Sequence, residues 1–412
     1  MSMVRVGVVG GGASGMMAAI TAARQGAWVT LLEGSGRLGQ KLLSTGNGKC
    51  NLGNRKLDVT EYYTSQSQRM EAFLRRFDTD DAISFFQGIG VLLKEKNGYL
   101  YPACEQAAVV QDALRYELRS LHVEVLTEWK AESIKQHGET GEILIKCKDR
   151  TFTFDRVILA CGGKAAPKTG SDGSGFLLAE QIGHSLVPLV PALVQLRCRE
   201  GYLKGVAGVR AEAKVQLYQD GTCVACERGE LQFTDYGVSG IPVFQLSRVS
   251  NYILRERGEA DIVVDFLPDY GELDYEQLRI SRALLLQGDR SVEEFFTGML
   301  HKKLMVLLIK QAGLKPSEIV RDAEQEKLLK VYELCRSFRL HVTGSNSYDS
   351  AQVCAGGVPL QEVTDELESV KMPGVYFAGE ILDVDGKCGG YNLHWAWCSG
   401  YVAAMAAASR RE

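Results

Sequence analysis

The sequence predicts an α/β protein whose parallel sheet is interrupted by an antiparallel, barrel-like insertion with a helical segment nested inside it. Three observations predict it. Residues 4 to 33 read as strand, glycine-rich turn, helix and strand. After Pro188 and Pro191 the pattern changes to short alternating strands, and from Glu272 to Arg336 to helical spacing. The last chemical stretch, Gly374 to Tyr401, reads as a strand, an acid, two glycines and a helix.

Val4 to Val9 is a valine-rich apolar run, and Gly10-Gly11-Gly12-Ala13-Ser14-Gly15 follows at once, matching G-x-G-x-x-G. Met16 to Gln25 is helical, Gly26 stops it, and Trp28 to Leu32 is a strand ending at Glu33. This is a Rossmann-like βαβ unit for a dinucleotide. Gly10 permits the turn out of the strand, Gly12 lets a pyrophosphate approach the backbone, and Gly15 lets helix and sheet pack closely. The helix N-terminus offers N–H groups and partial positive charge to the phosphates. Glu33, placed to accept both ribose hydroxyls, repels a 2′-phosphate, so NADP is disfavoured at this site.

Composition bounds the remainder. At 412 residues the chain suits two or three domains, and 45% hydrophobic residues fill a large core. A net charge of −4 and a pI near 6.0 give no basic signal for nucleic acid or anionic membrane. The apolar runs Met305–Ile309 and Tyr401–Ala408 fall short of the roughly 18 residues of a membrane span. The first strand begins at once, leaving no room for a signal peptide. Eleven cysteines without a regular framework suit reduced thiols, so a cytoplasmic location is expected.

Gly34 to Asn51 is too glycine-rich for a strand and too specific in its polar residues for a linker, and is read as a backbone-exposing loop beside the cofactor. Helices are expected at Arg69–Phe77, Asp80–Gln87 and Gln106–Leu121, with a hairpin from Val91–Leu93 to Tyr99–Tyr101. His122–Leu126 is a strand, Glu142–Cys147 and Thr151–Phe154 a small hairpin, and Arg156–Ala160 a strand entering Cys161-Gly162-Gly163. A glycine-punctuated loop, Lys164 to Phe176, precedes a helix at Leu177–Ile182. The domain boundaries expected are 1–190 with 345–412 for the nucleotide domain, 191–271 with 337–344 for the barrel, and 272–336 for the helical insert. Barrel strands are expected at Val215–Tyr218, Leu231–Thr234 and Ile262–Phe266, with FTDYGVSGIPVFQLSR (residues 233 to 248) a turn-rich entry to a helix. Insert helices are expected at Leu273–Gln287, Val292–Met299, His301–Gln311, Pro316–Arg321 and Asp322–Arg336. Phe338–Thr343 is a strand, and Ala351 to Val358 leads back to the first domain.

In the last stretch Val375–Ala378 is a buried strand, Glu380 sits at its end, and Gly389-Gly390 precede a helix starting near Leu393. A second helix N-terminus thus points at a ligand. Paired with the N-terminal fold, this unit is characteristic of FAD. The start of the chain holds the ADP half, the late acid bonds the ribityl chain, and the late helix stabilises charge at the flavin N1–O2 edge.

On VVGGGASGMMAA, LLEGSGRLGQKLLSTGNGKCN, GGKAAPKTGSDGSG, FTDYGVSG, AQVCAGGV and FAGEILDVDGKCGGYNLHWAWCSG, the chain resembles the bacterial NAD(P)/FAD-dependent oxidoreductases of the aminoacetone-oxidase-like and 3-dehydro-bile-acid Δ4,6-reductase-like kind. The resemblance implies a Rossmann-like, two-dinucleotide-type FAD-binding domain from both chain ends, an inserted β-barrel-like domain and a nested helical one. It carries FAD contacts to Gly10, Gly12, Ala13, Ser14, Gly15, Glu33, Lys41, Gly46, Lys49, Cys50, Asn51, Ala131 (through its backbone), Gly379, Glu380, Asn392 and Leu393. His394 departs from the pattern, where glutamine is common.

Flavin carries the hydride chemistry, and protein groups place substrate and supply protons. Tyr391, His394, Lys49 and Cys50 are the catalytic candidates by their neighbours. Against this stand packing of Tyr391 on the flavin, a helix-surface His394 and an inert buried thiol. A Cys50–Cys388 redox pair is the weaker alternative, and Cys223-Val224-Ala225-Cys226 reads as a turn between strands. No metal site is expected, and no H-E-x-x-H, P-loop or G-x-S-x-G occurs. The leading expectation is an NAD(P)H-driven reductase of a conjugated C=C in a small apolar substrate, the nicotinamide docking transiently at the flavin face. The alternatives are an O2-dependent amine oxidase, an RNA-associated flavoprotein and a non-catalytic redox sensor. The sequence sets no oligomeric state.

Overall fold

The computed structural model of the chain describes residues 3–283 and 289–409. The backbone divides into two units, Met1–Val190 with Ala351–Glu412, and Pro191–Ser350. The first is built on five parallel strands in the order Val375–Phe377, Arg156–Leu159, Arg5–Val9, Trp28–Glu33 and Glu124–Thr127. The strand from the end of the chain thus joins the same sheet as the strand that opens it. Their interior residues Val6, Val8, Leu31, Ile158 and Phe377 are fully buried, the near-continuous apolar pattern of a sheet covered on both faces.

Two helices pack together within this unit. The opening helix, Ala13–Arg24, is made mostly of small and unbranched residues, and nine of its twelve are buried. The closing helix, Tyr391–Ala408, is buried nearly all round, as expected of a helix without a polar face. A Cβ on Gly400 would lie 2.5 Å from the Ser14 carbonyl oxygen, so only glycine allows this approach. The closing helix begins at Tyr391, two residues before the expected start, capped by Gly390 in the left-handed conformation. Among the described residues no helix is long and apolar enough to cross a membrane.

The helices at Ser67–Leu74, Thr79–Gly88 and Ala107–Ser120 lie within a few residues of the expected ones. The helix Ser174–Gln181 starts three residues early, inside the expected loop, and the hairpin forms with its first strand at Leu93–Lys96 rather than Val91–Leu93, paired with Tyr99–Pro102. The hairpin Ile143–Cys147 with Arg150–Phe154 gains a third strand, Ser133–Gln136, that the sequence did not announce.

The second unit holds a closed antiparallel barrel, in the order Leu196–Cys198, Gly237–Gly240, Thr222–Phe233, Arg210–Gln219, Ala260–Asp265 and Phe338–Ser345. Leu217, Phe233, Ile262 and Leu340 fill it, and Phe296, Leu308 and Val331 from the helical segment belong to the same apolar cluster. Helices run over Glu272–Ala283, Val292–Phe296, Lys302–Gln311 and Gln325–Arg336. The end of the expected helix Leu273–Gln287 lies outside the described residues.

Two expectations in this unit are corrected. Pro316–Arg321 is not a helix. The Pro316 and Glu318 carbonyls accept from Glu293 N and Val292 N at 2.9 and 2.8 Å, and Ile319 bridges Ser291. Those outside bonds hold the segment open, and only a short 3₁₀ turn, Val320–Asp322, follows. Cys223 and Cys226 do not form a turn either. The turn is Asp220-Gly221, with φ of 49° and 79°, and both cysteines lie inside the strand that follows.

Candidate functional site

The opening helix starts with no side-chain cap and no acid in its first turn, which leaves its leading N–H groups, from Ala13 onward, for an outside acceptor. A Cβ on Gly12 would meet nothing within 4 Å among the described residues, whereas one on Gly15 would sit 1.8 Å from the Gly10 carbonyl oxygen. Space is therefore open beside Gly12 and closed at Gly15. Gly10 has φ of 104° and makes the turn. Glu33 ends its strand with each carboxylate oxygen held at 2.7 Å, Oε2 by Gly11 N and Oε1 by Ser35 N. The next segment crosses this strand end, with Glu128 N on Ser35 O and Trp129 N on Glu33 O, and it delivers buried Ala131 beside it.

At the other end of the chain Gly379 is clamped by the closing helix. Its N–H donates to Ser399 Oγ at 2.8 Å, and its carbonyl accepts Trp395 Nε1 at 3.2 Å. Ser14 Oγ donates to Ala378 O at 3.3 Å, so the fingerprint helix touches the terminal strand directly. Glu380, next in the chain, accepts Lys41 Nζ at 2.8 Å and Cys354 N at 2.7 Å. One loop meets both acids. A Cβ on Gly170 would lie 3.7 Å from Glu33 Oε1, and one on Gly163 would lie 2.9 Å from Glu380 Oε1. Ser171 Oγ, in that loop, is buried with no hydrogen-bond partner among the described residues. The open backbone at Gly12, the two uncapped helix starts and this buried hydroxyl fit a dinucleotide whose ends are held by Glu33 and Glu380.

The loop Gln40–Gly48 is a pair of 3₁₀ turns broken at Thr45–Asn47, and Gly46, Asn47, Gly48 and Cys50 all have positive φ. The Asn51 amide, with its nitrogen on Gly53 O at 2.8 Å and Leu100 O at 3.2 Å and its oxygen on Gly390 N at 3.2 Å, ties this loop to the start of the closing helix. Asn392 Oδ1 accepts Gly386 N, and its Nδ2 donates to Gly386 O, which fixes the preceding turn. Half-buried Leu393 follows it in the first turn of the helix.

The four catalytic candidates separate clearly. His394 is not on a helix surface. It is fully buried, with Nε2 on Phe77 O at 3.1 Å and Nδ1 unpartnered among the described residues, and burial pushes its pKa down to about 4. Cys50 is fully buried and desolvation pushes its thiol up to about 12, so the expected reactive cysteine is an inert thiol. No disulfide joins Cys50 to Cys388 among the described residues. Lys49 pairs with Glu105 at 2.7 Å on a half-exposed surface, with its pKa raised by that hydrogen bond. Tyr391 Oη accepts Asn54 Nδ2 at 3.2 Å and donates to Lys56 O at 3.4 Å, and burial raises its pKa. Sequence reasoning missed Gly163, Cys354, Trp395 and Ser399. The first two sit in GGKAAPKTG and AQVCAGGV, already singled out, and the last two are a helical i,i+4 pair.

The HI0933-like protein Rossmann domain family matches residues 4–406. A 3-dehydro-bile acid delta(4,6)-reductase of Clostridium scindens is 42% identical over 99% of this chain and 100% of its own. A ribosomal RNA dihydrouridine synthase of Haemophilus influenzae is 26% identical over 97% of each chain, and one of Escherichia coli is 28% identical over 97% of this chain and 96% of its own. A 3-ketosteroid delta1-dehydrogenase of Sterolibacterium denitrificans has the same fold, with a TM-score of 0.52 and 14% identity, covering 98% of this chain and 99% of that one. The chain belongs to the HI0933-like Rossmann-domain family, a bacterial family of FAD-dependent oxidoreductases.

Proposed function

We propose that this FAD-dependent oxidoreductase takes electrons from NAD(P)H and reduces a conjugated C=C in a small, largely apolar substrate of the 3-oxo-steroid class. The observation that carries this is full-length similarity, at 42% identity, to the reductase of a 3-dehydro bile acid. When bound, FAD supplies the two-electron relay. Gly12, Ala13, Ser14 and Gly15 would hold its pyrophosphate against the opening helix, Glu33 its adenosine ribose, and Glu380, oriented by Lys41 and Cys354 N, its ribityl chain. Tyr391, at the start of the closing helix, is the group with a proton to give. A phenol is protonated at neutral pH and burial raises this one's pKa further, and its proton is donated to Lys56 O at 3.4 Å.

Anaerobic mixing with NADH and NADPH tests the reading. At least one should bleach the flavin absorbance, and a 3-oxo-4,6-diene bile acid should then restore it in single turnover. Tyr391→Phe should slow that second step by about 10- to 100-fold and leave the bleaching rate alone. Failure of both nicotinamides to bleach the flavin removes the proposal. A second reading, saturation of a uracil ring in ribosomal RNA, is favoured by the two dihydrouridine synthase relatives. Reoxidation by unmodified ribosomal RNA and not by the bile acid selects it, while peroxide formed from aminoacetone without nicotinamide selects an amine oxidase.

A further inference from the structure

Cys223 and Cys226 sit in the barrel strand Thr222–Phe233, paired with Arg210–Gln219. In a regular strand a three-residue spacing puts two side chains on opposite faces. Here the register shifts. Leu217 pairs with Ala225 and Tyr218 with Cys223, so Val224 is an extra residue that cancels one alternation. Leu217 is fully buried in the barrel interior, so its neighbours Gln216 and Tyr218 face outward, and so do their partners Cys226 and Cys223. Gln216, opposite Cys226, lies with its Nε2 3.7 Å from the Cys223 sulfur. Both thiols are free and exposed. The bulge has turned a pair that would point apart into two neighbours on one outer face.

We propose that Cys223 and Cys226 form a thiol–disulfide exchange site for low-molecular-weight disulfides, closing reversibly to an intrachain disulfide across the bulge. Cys223 loses its proton to solvent and attacks one sulfur of the small disulfide. That S–S bond breaks, and one small thiolate leaves with the bonding pair and takes up a proton. Cys226, once deprotonated, attacks the Cys223 sulfur and expels the second small thiol. Two protein thiols are oxidised and one disulfide is reduced to two thiols. Cys223, exposed and with its sulfur 3.7 Å from the Gln216 amide nitrogen, is the attacking group. Cys226, whose pKa partial burial raises, is the resolving one. Two pairing steps along a strand span about 6.8 Å, at the top of the Cα range of about 4.4–6.8 Å that a disulfide bridges. A bridge at that limit has little geometric slack, which favours its reduction, as an exchange site requires.

The test is incubation of the intact chain with glutathione disulfide, followed by intact mass and peptide mapping. The expected product has lost two hydrogens, with Cys223 linked to Cys226, and dithiothreitol restores it. C226S should stop at a glutathione adduct on Cys223, and C223S should react more slowly than C226S. Both substitutions fall on exposed positions, and circular dichroism checks the fold. A lasting glutathione adduct on Cys223 in the unsubstituted chain overturns the proposal. So does a link between two chains, or reaction at exposed Cys104 with both strand cysteines untouched.

Discussion

Two glycines in one fingerprint do different work, and substitution separates them. Gly12 has an extended backbone, φ −78°, with open space where a side chain would go. Serine there would cap the opening helix, so Gly12→Ser should leave the apoprotein as stable or up to about 1 kcal/mol more stable. The same side chain fills the approach of the pyrophosphate, so the protein should leave gel filtration colourless. Full flavin retention in that variant would contradict the cradle. Gly15→Ala drives a Cβ to 1.8 Å from backbone and should cost about 1–3 kcal/mol or more in urea unfolding with or without FAD. His394 gives a second residue-scale prediction. Its folded pKa of about 4 lies below the usual 6.5, so the unfolded chain takes up the proton first. Stability is full above pH 6.5, falls by about 3 kcal/mol as pH drops to 4, and is flat below that as far as this group is concerned. His394→Gln should remove that slope from urea midpoints measured between pH 7 and 4. An unchanged slope would assign the acid sensitivity to other groups.

At the scale of elements, the parallel sheet was legible because three of its strands are apolar runs ended by glycine or an acid: Val4–Val9 by Gly10, Trp28–Leu32 by Glu33, Val375–Ala378 by Gly379 and Glu380. The barrel strands Leu196–Cys198 and Gly237–Gly240 were not, because they are short and defined by partners far along the chain. The Asp220-Gly221 turn was present as a signal, and reading it would have moved the cysteine pair into its strand. Pro316 suited a helix start, yet neighbouring amides claimed its carbonyl and that of Glu318. Adjacency to a cofactor loop did not reveal that Lys49 pairs with Glu105 or that Cys50 is wholly buried. The closing helix does more than its sequence promised, since Ser399 and Trp395 bind both backbone groups of Gly379 and so aim Glu380. Ser399→Ala orphans the buried Gly379 N–H and should cost about 1–3 kcal/mol in apoprotein stability. It should also weaken FAD in a fluorescence titration, whereas loss of stability with unchanged affinity would confine Ser399 to packing.

For the whole molecule, the chain is divided so that one unit carries residues from both ends and the other carries its own apolar cluster. Two cores predict two unfolding transitions in calorimetry, because cooperativity follows the packed core and not the covalent chain. On the proposed reading, FAD gripped by Gly12 and Glu33 from the start of the chain and by Glu380 from its end would bind only while the first unit is folded. At 100 times its dissociation constant it should therefore add about 2.7 kcal/mol to that unit's transition and leave the barrel's in place. Glu380→Gln removes the carboxylate charge that pairs with Lys41 and should weaken the hold on the ribityl chain, so the FAD-dependent shift should shrink while the barrel transition stays fixed. Glu33→Gln should shrink it as well, although the two acids lie 347 positions apart in the sequence. If FAD moves both transitions together, the units unfold as one cooperative body and the division into two cores does not describe the molecule's energetics. If only one of the two substitutions shrinks the shift, the cofactor is gripped from one end of the chain alone.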